Sequence, residues 1–573
     1  MVPGDSAPSS VSFAIFSAKH SRIAGVSIIL CSKPLSISAF LGIIWAQPGQ
    51  ARNNGHKQLV PGWGTQAMLG SLGEISSYGA RTYGDKAALI VGECSFSFAE
   101  IDRLACQLAN GLKAKGVEPG DRVTLYAQNC WEWVVSYHGI AKTGAVVNPI
   151  NVMLTPEEVG FVATDCQAKA IVAGAEKGAG LMDIKGDTPL DHVVLFGEDL
   201  PKGAISFNEM LEAGANTFVA PPRDRDALST IGYTSGTTGH PKGAMQSHKA
   251  VLTNAALTAM IHRRIHEDIV VSALPCAHVY GNVVMNGALL YGYTFVLVPR
   301  FEETAVLGAI QDNRATLYDG VPTSYMMMLA HPEFGNYDLS SLSRLTVGGQ
   351  TIPVATGQEV EARFGAPLLE LWGMTELAGL GTGNAFYAEN RLGSIGAALP
   401  FTECRIADVD DPSKTLPTGE VGELMCKGPI VMQGYFGNEA ATAETIEPDG
   451  WLHTGDLCKM DEDGYYYVID RKKDMILTAG YNIYPAEIER VLAAHPAVAM
   501  SAVGRKPDQV KGEIAKAYIV LRPNAKATEG EITGFCREHL AAYKVPREVQ
   551  FVADLPKTST GKIMRRELHT LDS

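Results

Sequence analysis

The chain of 573 residues is too long for one compact core, so we expect two or more domains. Hydrophobic residues make up 46% and charged residues 19%, the balance of an ordinary globular protein. A formal net charge of -14 argues against a broad nucleic-acid-binding face, which needs clustered Lys and Arg. The ten cysteines form no Cys-x-x-Cys pair and no Cys/His group with zinc spacing, so we expect reduced thiols rather than a zinc site.

Residues 1–65 form an N-terminal extension in which serines are frequent and Asp5 is the single acid. Its two apolar stretches, 23–31 and 35–46, are shorter than the roughly 20 residues that span a bilayer, so we predict no transmembrane segment there. Three interpretations stay open: a start codon assigned too early, an organelle transit peptide and a poor signal sequence. We prefer the first, which predicts a disordered extension on a cytoplasmic protein. A transit peptide would instead direct the protein to an organelle matrix.

Folded sequence is expected from about Thr65. Residues 97–100 read Ser-Phe-Ala-Glu, the spacing of a capping box, and apolar side chains then recur on one helical face. Residues 122–126 and 168–173 predict short strands, and Thr-Pro-Glu-Glu at 155–158 predicts the start of another helix. Because such helices and strands alternate to about residue 400, we predict an α/β fold with mostly parallel sheets.

The pattern changes after Gly396. Residues 396–468 contain short strands separated by Gly, Pro and Asp, which indicates a β-rich module. Beyond Asp470, a helix starting near Tyr484 and a strand at 515–521 predict a small α+β domain. We therefore divide the chain into a large domain at 66–470, a hinge at 471–473 and a small C-terminal domain at 474–573.

The strongest local pattern is Tyr-Thr-Ser-Gly-Thr-Thr-Gly-His-Pro-Lys-Gly at 233–243. Its glycines let the backbone approach a ligand closely, and its hydroxyls and N–H groups can donate to phosphate oxygens. Lys242 adds a mobile positive charge suited to a polyphosphate. It is not a Walker loop, because Pro241 and Gly243 stand where that motif needs Gly and Ser or Thr. The pattern predicts a phosphate-binding loop rather than a flexible linker.

Four further motifs follow in the chain: Leu-Trp-Gly-Met-Thr-Glu at 371–376, Gly-Trp-Leu-His-Thr-Gly-Asp at 450–456, Asp-Arg-Lys-Lys-Asp at 470–474 and Pro-Lys-Thr-Ser-Thr-Gly-Lys at 556–562. Together with the 233–243 loop they resemble the motifs of the adenylate-forming superfamily, over about residues 66–570. Within that superfamily they resemble the acyl-CoA synthetase, or acid–CoA ligase, branch. The resemblance implies an AMP-forming acid–CoA ligase that uses ATP with Mg²⁺ and coenzyme A as co-substrate, with a C-terminal domain that is mobile.

The resemblance also implies a nucleotide site. Trp372 takes the aromatic position beside adenine, where a flat apolar wall is suitable. Asp456 accepts from the ribose hydroxyls, and Glu376, with Thr238, holds the magnesium. The implied nucleotide-binding residues are Thr234, Ser235, Gly236, Thr237, Thr238, Gly239, Lys242, Gly349, Gln350, Trp372, Gly373, Thr375, Asp456, Arg471 and Lys562.

Lys562 corresponds to the catalytic lysine of this superfamily. The first half-reaction brings a carboxylate against ATP, so a positive charge between the two anions offsets their repulsion. Thr375, Glu376 and His278 are the other implied catalytic residues. After a rotation of the small domain about Lys473, CoA would be bound by Thr478, Ala479, Gly480 and Tyr481. No protein nucleophile is required, because the acyl-adenylate is already activated.

The implied acyl pocket has small or apolar walls, which suit an alkyl chain or a flat ring. Its residues are His278, Tyr280, Gly281, Val321, Gly348, Gly349, Gly373, Met374 and Gly379. We expect a medium- or long-chain fatty acid, with an aryl acid of the cinnamate type as the alternative. An acyl-AMP ligase and a non-catalytic acyl or nucleotide sensor also stay open.

The expected partners of such a ligase are the acid, ATP and CoA, without nucleic acid. Peripheral membrane contact and the oligomeric state stay open.

Overall fold

The computed structural model describes residues 69–234, 241–478, 481–508, 511–557 and 563–572. The N-terminal extension predicted at 1–65 lies outside this range. Within the range, the α-helices are α1 Ile75–Tyr83, α2 Phe98–Ala114, α3 Trp131–Lys142, α4 Pro156–Asp165, α5 Gly178–Ile184, α6 Phe207–Ala213, α7 His248–Ile261, α8 Val279–Tyr291, α9 Glu303–Asp312, α10 Pro322–Ala330, α11 Val354–Phe364, α12 Glu439–Thr445, α13 Pro485–Ala493 and α14 Glu529–His539.

Local side-chain chemistry explains where several helices begin. Before α2, the Ser97 side chain accepts from the Glu100 N–H and Glu100 accepts from the Ser97 N–H, at 3.1 and 2.8 Å, so the predicted capping box is confirmed. Thr155 and Glu158 repeat this exchange before α4, and α4 and α13 each have Pro in the first turn. No helix in the described part of the chain is long and apolar enough to cross a bilayer.

The strands lie in four sheets. In chain order they are β1 Ala87–Val91, β2 Cys94–Ser97, β3 Arg122–Tyr126, β4 Val146–Pro149, β5 Ala168–Gly174, β6 His192–Phe196, β7 Ile205–Ser206, β8 Leu228–Thr234, β9 Lys242–Ser247, β10 Ile269–Ser272, β11 Thr294–Leu297, β12 Leu317–Gly320, β13 Arg344–Val347, β14 Leu368–Met374, β15 Gly379–Gly383, β16 Ala397–Ala398, β17 Glu403–Ala407, β18 Gly422–Lys427, β19 Leu452–Met460, β20 Tyr466–Arg471, β21 Ile476–Thr478, β22 Tyr481–Ile483, β23 Val498–Asp508, β24 Gly512–Leu521 and β25 Glu548–Phe551.

Two large sheets carry the first 400 residues. The nine-stranded sheet has the order β16-β15-β14-β13-β12-β10-β11-β1-β2, and the seven-stranded sheet has the order β7-β6-β5-β3-β4-β8-β9. Pairing is parallel from β14 through to β1 and from β7 through to β8; β2, β15, β16 and β9 join antiparallel. The predicted α/β fold with mostly parallel sheets is confirmed.

The remaining two sheets are smaller. Strands β17 to β20 form an antiparallel sheet in chain order, which is the predicted β-rich module. After β20 a short 3-10 turn, Lys472–Asp474, leads to a five-stranded sheet of order β22-β21-β24-β23, with β25 beside β24. Helices α13 and α14 pack with this sheet around a separate apolar core that includes Ile488 and Ile532. A smaller C-terminal α+β domain is therefore confirmed, whereas its boundaries at 470–474 stay a prediction.

Candidate active site

Neighbouring parallel strands bring several predicted pocket residues to one edge. Strands β14, β13, β12 and β10 lie side by side in the nine-stranded sheet, and the carboxyl ends of parallel strands share an edge. Val321 follows β12, Gly348 follows β13, and Met374 ends β14. His278 follows β10 and precedes α8. Ligands of open α/β sheets bind beyond such carboxyl ends, so the topology places these residues where a substrate is expected.

The predicted pocket glycines do not all face open space. A Cβ added to Gly281 would lie 2.3 Å from the carbonyl oxygen of Pro275, too close for any side chain. A Cβ added to Gly373 would lie 2.1 Å from the carbonyl oxygen of Gly379, and one added to Gly348 or Gly379 would require the side chain of Leu371 or Asn254 to shift. Gly349 differs, because its φ of +84° favours glycine and the nearest atom to an added Cβ, in Val321, is 3.7 Å away. Most of these glycines allow the strand ends to pack closely, and Gly349 is left exposed beside Val321.

A cavity lies where the two large sheets meet. It is lined by both sheets and by the N-terminus of α8, and His278, Tyr233, Gln246 and Thr375 are among its lining residues. Gln246 in β9 donates from Nε2 to the backbone oxygen of Thr375 at 2.8 Å, which joins the seven-stranded sheet to the end of β14. His278 is the N-cap of α8, where its Nδ1 accepts from the Tyr280 N–H at 3.3 Å. Two predicted catalytic residues, His278 and Thr375, therefore share one cavity.

Glu376 lies in a buried environment, 7% exposed, just after β14. Burial raises the pKa of its carboxyl, and a hydrogen bond from the Tyr435 hydroxyl at 2.8 Å opposes that shift. The Nζ of Lys242 lies 5.2 Å from the centre of the Tyr435 ring. Tyr435 therefore connects two predicted nucleotide-site residues, and sequence reasoning missed it. Its 59-residue separation from Glu376 leaves no local signal in the sequence.

The side chain of Glu376 is chemically suited to be one ligand of a magnesium ion. Its carboxylate supplies the hard oxygen that Mg²⁺ prefers. Among the residues that the structure describes, no group of three or more His, Cys, Asp or Glu could hold a metal. An ion at Glu376 would therefore need further oxygen ligands from phosphate and water, which is the usual arrangement for Mg²⁺ bound with a nucleotide.

Trp372 and Asp456 meet although they come from different sheets. The indole Nε1 donates to Asp456 Oδ2 at 2.8 Å, and Arg471 Nε lies 2.5 Å from Asp456 Oδ1. Asp456 and Arg471 are paired residues of β19 and β20, so sheet register places them side by side. Asp456 is 3% exposed and Trp372 is 8% exposed. Three predicted nucleotide-site residues thus form one continuous contact at the border of the β-rich module.

The predicted phosphate loop is described only at its flanks. Thr234 ends β8 and Lys242 begins β9, and the two residues are partners in the antiparallel pairing of these strands. The pairing holds the two ends of the loop side by side, and Tyr233, next to Thr234, lines the cavity. Gly349 and Gln350 lie exposed beyond β13. The residues predicted to bind nucleotide, CoA or the reacting groups that lie outside the described residues are Ser235, Gly236, Thr237, Thr238, Gly239, Ala479, Gly480 and Lys562.

Two residues of the predicted CoA-binding segment lie on neighbouring strands of the small domain. Thr478 in β21 pairs with Tyr481 in β22. The Thr478 hydroxyl donates to the backbone oxygen of Glu513 at 2.7 Å and is buried, whereas Tyr481 is 59% exposed. The predicted hinge residue Lys473 is exposed in the turn between β20 and β21. The roles of these residues stay predictions.

One arginine joins both sides of this junction. Arg565 Nη1 lies 2.9 Å from Asp470 at the end of β20 and 3.2 Å from Asp474, and its Nη2 lies 2.5 Å from Glu489 in α13. Asp470 also accepts from the Ala486 N–H at 2.6 Å. Sequence reasoning missed this cluster, which surrounds the predicted hinge with charge pairs.

Two family models match the chain. That of the AMP-binding enzyme matches residues 77–436, and that of the AMP-binding enzyme C-terminal domain matches residues 487–562. The chain belongs to the family of AMP-binding enzymes. The predicted resemblance is confirmed. Among the relatives of this AMP-binding enzyme, a long-chain-fatty-acid–CoA ligase from Bacillus subtilis is 35% identical, with 87% of this chain and 94% of the relative covered. A feruloyl-CoA synthase from an Amycolatopsis species is also 35% identical, over 83% and 94%.

Solved structures of adenylate-forming enzymes share the fold. An anthranilate CoA ligase in complex with anthranoyl-AMP superposes with a TM-score of 0.82 at 31% identity, covering 87% of this chain and 97% of that one. ATP-bound MatB from Rhodopseudomonas palustris gives a TM-score of 0.80 at 31% identity, over 87% and 98%. This AMP-binding enzyme therefore has the two-domain architecture of that superfamily.

Proposed function

We propose that this AMP-binding enzyme is an AMP-forming acid–CoA ligase, which converts a carboxylic acid, ATP and CoA into acyl-CoA, AMP and diphosphate. The observation that carries the proposal is the convergence of motifs far apart in sequence. The Glu376–Tyr435–Lys242 contacts and the Trp372–Asp456 bond bring them to the edge where the parallel strands end. Relatives over most of the chain are acid–CoA ligases, which supports the same conclusion.

The first half-reaction forms an acyl-adenylate. A carboxylate oxygen of the acid attacks the α-phosphorus of ATP, the bond to the bridging oxygen breaks, and diphosphate leaves with that electron pair. We propose that Trp372 bounds the adenine and that Asp456 accepts from the ribose hydroxyls. Its oxygens already accept from Trp372 and Arg471, but each carboxylate oxygen has a second lone pair. Arg471 then holds that carboxylate in a fixed orientation.

Charge control is the main requirement of this step. Lys562 would stand between the acid and the α-phosphate, where its positive charge offsets the approach of two anions. Lys242 and the 233–243 loop would hold the outer phosphates. We propose Glu376, aided by Thr238, as the protein contribution to a Mg²⁺ site. When bound there, the ion would neutralise phosphate charge and polarise the phosphorus–oxygen bonds.

The second half-reaction transfers the acyl group. The CoA thiol loses its proton and attacks the acyl carbonyl carbon, and the carbon–oxygen bond to AMP breaks. We propose that rotation about Lys473 replaces Lys562 with the β21–β22 hairpin, so that Thr478, Ala479, Gly480 and Tyr481 border the pantetheine. His278 would close the acid site during the exchange, since it lies at the cavity that the two sheets share.

A medium- or long-chain fatty acid is the proposed substrate. The predicted walls are apolar or small, and the Bacillus subtilis relative is named for long-chain fatty acids. An aryl acid is the second candidate, favoured by the feruloyl-CoA synthase relative and by the anthranilate ligase structure. A cytoplasmic location stays a prediction.

A pyrophosphate-release assay tests the proposal. Purified full-length protein is incubated with ATP, Mg²⁺ and a panel of acids that includes hexanoate, decanoate, hexadecanoate and 4-hydroxycinnamate, with and without CoA. We expect acid-dependent release that continues over many turnovers only when CoA is present. Full turnover without CoA would indicate an acyl-AMP ligase. Absence of release with every acid would support a sensor and contradict the proposal.

A further inference from the structure

We propose that Cys404 and Cys426 form a site of reversible oxidation, at which a hydroperoxide such as hydrogen peroxide joins the two thiols as a disulfide. The two cysteines lie in β17 and β18, the first two strands of the β-rich sheet. Both thiols are free in the structure, and their sulfur atoms are 3.5 Å apart. Such a site is independent of the proposed ligase activity.

The strand register places the two thiols opposite each other. Cys404 and Cys426 are direct partners in the antiparallel pairing of β17 and β18. Direct partners point to the same face of a sheet, and their Cα atoms are about 4.5 to 5.5 Å apart. A disulfide accepts Cα separations of about 4.4 to 6.8 Å, so the backbone can keep its conformation. The sulfur atoms have to approach by about 1.5 Å, which rotation of the side chains can supply.

A buried tyrosine restrains the backbone at this pair. Tyr466, the first residue of β20, donates its hydroxyl to the backbone oxygen of Cys404 at 2.9 Å. Burial raises the pKa of Tyr466, and the thiols of Cys404, Cys426 and Cys458 add to that rise because they lie near the phenol. The Tyr466 side chain therefore extends across the buried face of the sheet beside these thiols and holds β17 in register at Cys404.

The two thiols differ in exposure, which gives each a separate role. Cys404 is half-buried, so a small hydroperoxide can reach it from solvent. Cys426 is 0% exposed, and its hydrogen bond with Cys404, together with burial, raises the pKa of its thiol well above the usual value. A thiol attacks an oxidant as the thiolate. Cys404 is therefore the thiol that meets the oxidant, and Cys426 is the thiol that resolves the product.

The oxidation consists of two displacement steps. The Cys404 thiolate attacks one oxygen of hydrogen peroxide, the O–O bond breaks, and the released hydroxide takes up the proton that the Cys404 thiol had lost. A sulfenic acid is left on Cys404. The sulfur of Cys426 then attacks the Cys404 sulfur, the S–O bond breaks, and the leaving hydroxide takes the Cys426 proton. The two thiols lose two electrons and two protons, and the peroxide becomes two water molecules.

The disulfide would fasten an edge strand of the β-rich sheet. Strand β17 lies at the end of this sheet and pairs with β18. A bond between residues 404 and 426 closes a loop in the unfolded chain, which lowers the entropy of that chain and stabilises the folded sheet. Local opening of β17 and β18 should therefore become rarer after oxidation, and amide hydrogen exchange should report that change.

Peptide mapping of the full-length protein tests the site. The protein is treated with hydrogen peroxide, the remaining thiols are alkylated, and the digest is analysed by mass spectrometry without reduction. We expect a cross-linked pair of peptides that contain Cys404 and Cys426, and dithiothreitol should restore both thiols. Hydrogen exchange in residues 403–407 and 422–427 should slow by several-fold in the oxidised protein.

Three variants test the separate roles. Cys426→Ser removes the resolving thiol, so oxidation should stop at the sulfenic acid of Cys404, which dimedone traps as a stable adduct. Cys94→Ser removes an exposed thiol of β2, and Cys458→Ser removes a buried thiol of β19. These two controls should give the same cross-link as wild type.

Several results would overturn the site. They are a cross-link from Cys426 to Cys458 instead, oxidation of Cys404 in wild type without a cross-link, and equal dimedone labelling of wild type and Cys426→Ser. A cross-link that leaves hydrogen exchange unchanged would contradict the fastening of β17. If Cys426→Ser fails to fold, the peptide map of wild type decides the question. None of these readouts requires turnover, so failure of the ligase assay would leave the site standing.

Discussion

We propose that Lys562 supplies the positive charge on which the first half-reaction depends. Lys562→Ala should abolish acyl-adenylate formation, a loss of at least about a hundredfold, because one preorganised charge at a developing anion contributes at that level. Thioester formation from supplied decanoyl-AMP should continue at close to the wild-type rate. The two half-reactions are measured separately, by ATP–pyrophosphate exchange and by decanoyl-CoA production.

The control for this variant is Lys526→Ala, which removes an exposed lysine from the same domain. It should retain both half-reactions. Equal loss of both half-reactions in Lys562→Ala, with normal folding, would contradict the assigned role.

Tyr435 supports the residue proposed to hold magnesium. Tyr435→Phe removes the hydroxyl that donates to Glu376 at 2.8 Å, so the carboxylate is less firmly oriented. The Mg²⁺ concentration for half-maximal pyrophosphate release should rise by about tenfold, as for other groups that orient a metal ligand. Tyr466→Phe removes another buried hydroxyl, which donates to the Cys404 carbonyl, and should leave that concentration unchanged. An unchanged Mg²⁺ dependence in Tyr435→Phe would refute the assignment.

For single residues, the sequence predicts which side chains take part in the site better than it predicts which side chains contact one another. Trp372 and Asp456 are both predicted from their own motifs, but their hydrogen bond joins positions 84 residues apart and has no local signature. The same reason explains why Tyr435 and the Arg565 cluster are missed, since each acts through partners that only the folded chain brings together.

Among the elements, strand β19 carries a titratable group beside the predicted hinge. His453 lies 3.2 Å from Glu423 and 3.3 Å from Glu447, and the bond to Glu423 is the main cause that raises the pKa of His453. Burial alone would raise the pKa of Glu423, but His453 and Lys472 lower it to about 2. The Glu423 carboxylate therefore contacts both Lys472 in the hinge turn and His453 in β19.

The pH dependence follows from the direction of the histidine shift. A pKa raised in the folded state contributes stability that is complete below the unfolded value of about 6.5 and is lost as pH rises through the folded pKa. His453→Gln should therefore lower the Tm more at about pH 6 than at about pH 9. The corresponding loss in the free energy of unfolding should be up to about 1 kcal/mol larger at the lower pH. A destabilisation that is equal at both pH values would contradict this linkage.

The turn Lys472–Asp474 is the element on which domain rotation would depend. Lys473→Pro fixes φ at about −65° and also restricts the backbone conformation of the preceding residue. We expect normal ATP–pyrophosphate exchange but a loss of decanoyl-CoA turnover of at least about tenfold. Lys473→Ala leaves the backbone free and should turn over normally. Full CoA turnover by Lys473→Pro would exclude Lys473 as the pivot.

Element types were predictable where their signals are local. The capping boxes before α2 and α4 and the Pro in the first turn of α13 are written in consecutive residues. Strand order is not, because β1 pairs with β11 across some 200 intervening residues and β10 lies between β11 and β12. Such pairing depends on which apolar faces can be buried together, which no single segment specifies.

On the scale of the whole molecule, two large sheets and a β-rich sheet bring the predicted nucleotide-site residues together. The seven-stranded sheet brings Lys242 and Gln246, the nine-stranded sheet brings Trp372 and Glu376, and the β-rich sheet brings Asp456. The fold class and the assignment of these residues to the site were predictable, because each motif lies next to a strand that the sequence indicates.

The most direct test of the account is a single-turnover experiment. Enzyme in excess over ATP is mixed with decanoate and Mg²⁺ without CoA, and bound decanoyl-AMP is measured by mass spectrometry before and after CoA is added. We predict one equivalent of decanoyl-AMP and diphosphate at first, then conversion to decanoyl-CoA and AMP. Formation of ADP, or decanoyl-CoA appearing without prior decanoyl-AMP, would contradict an adenylate-forming ligase.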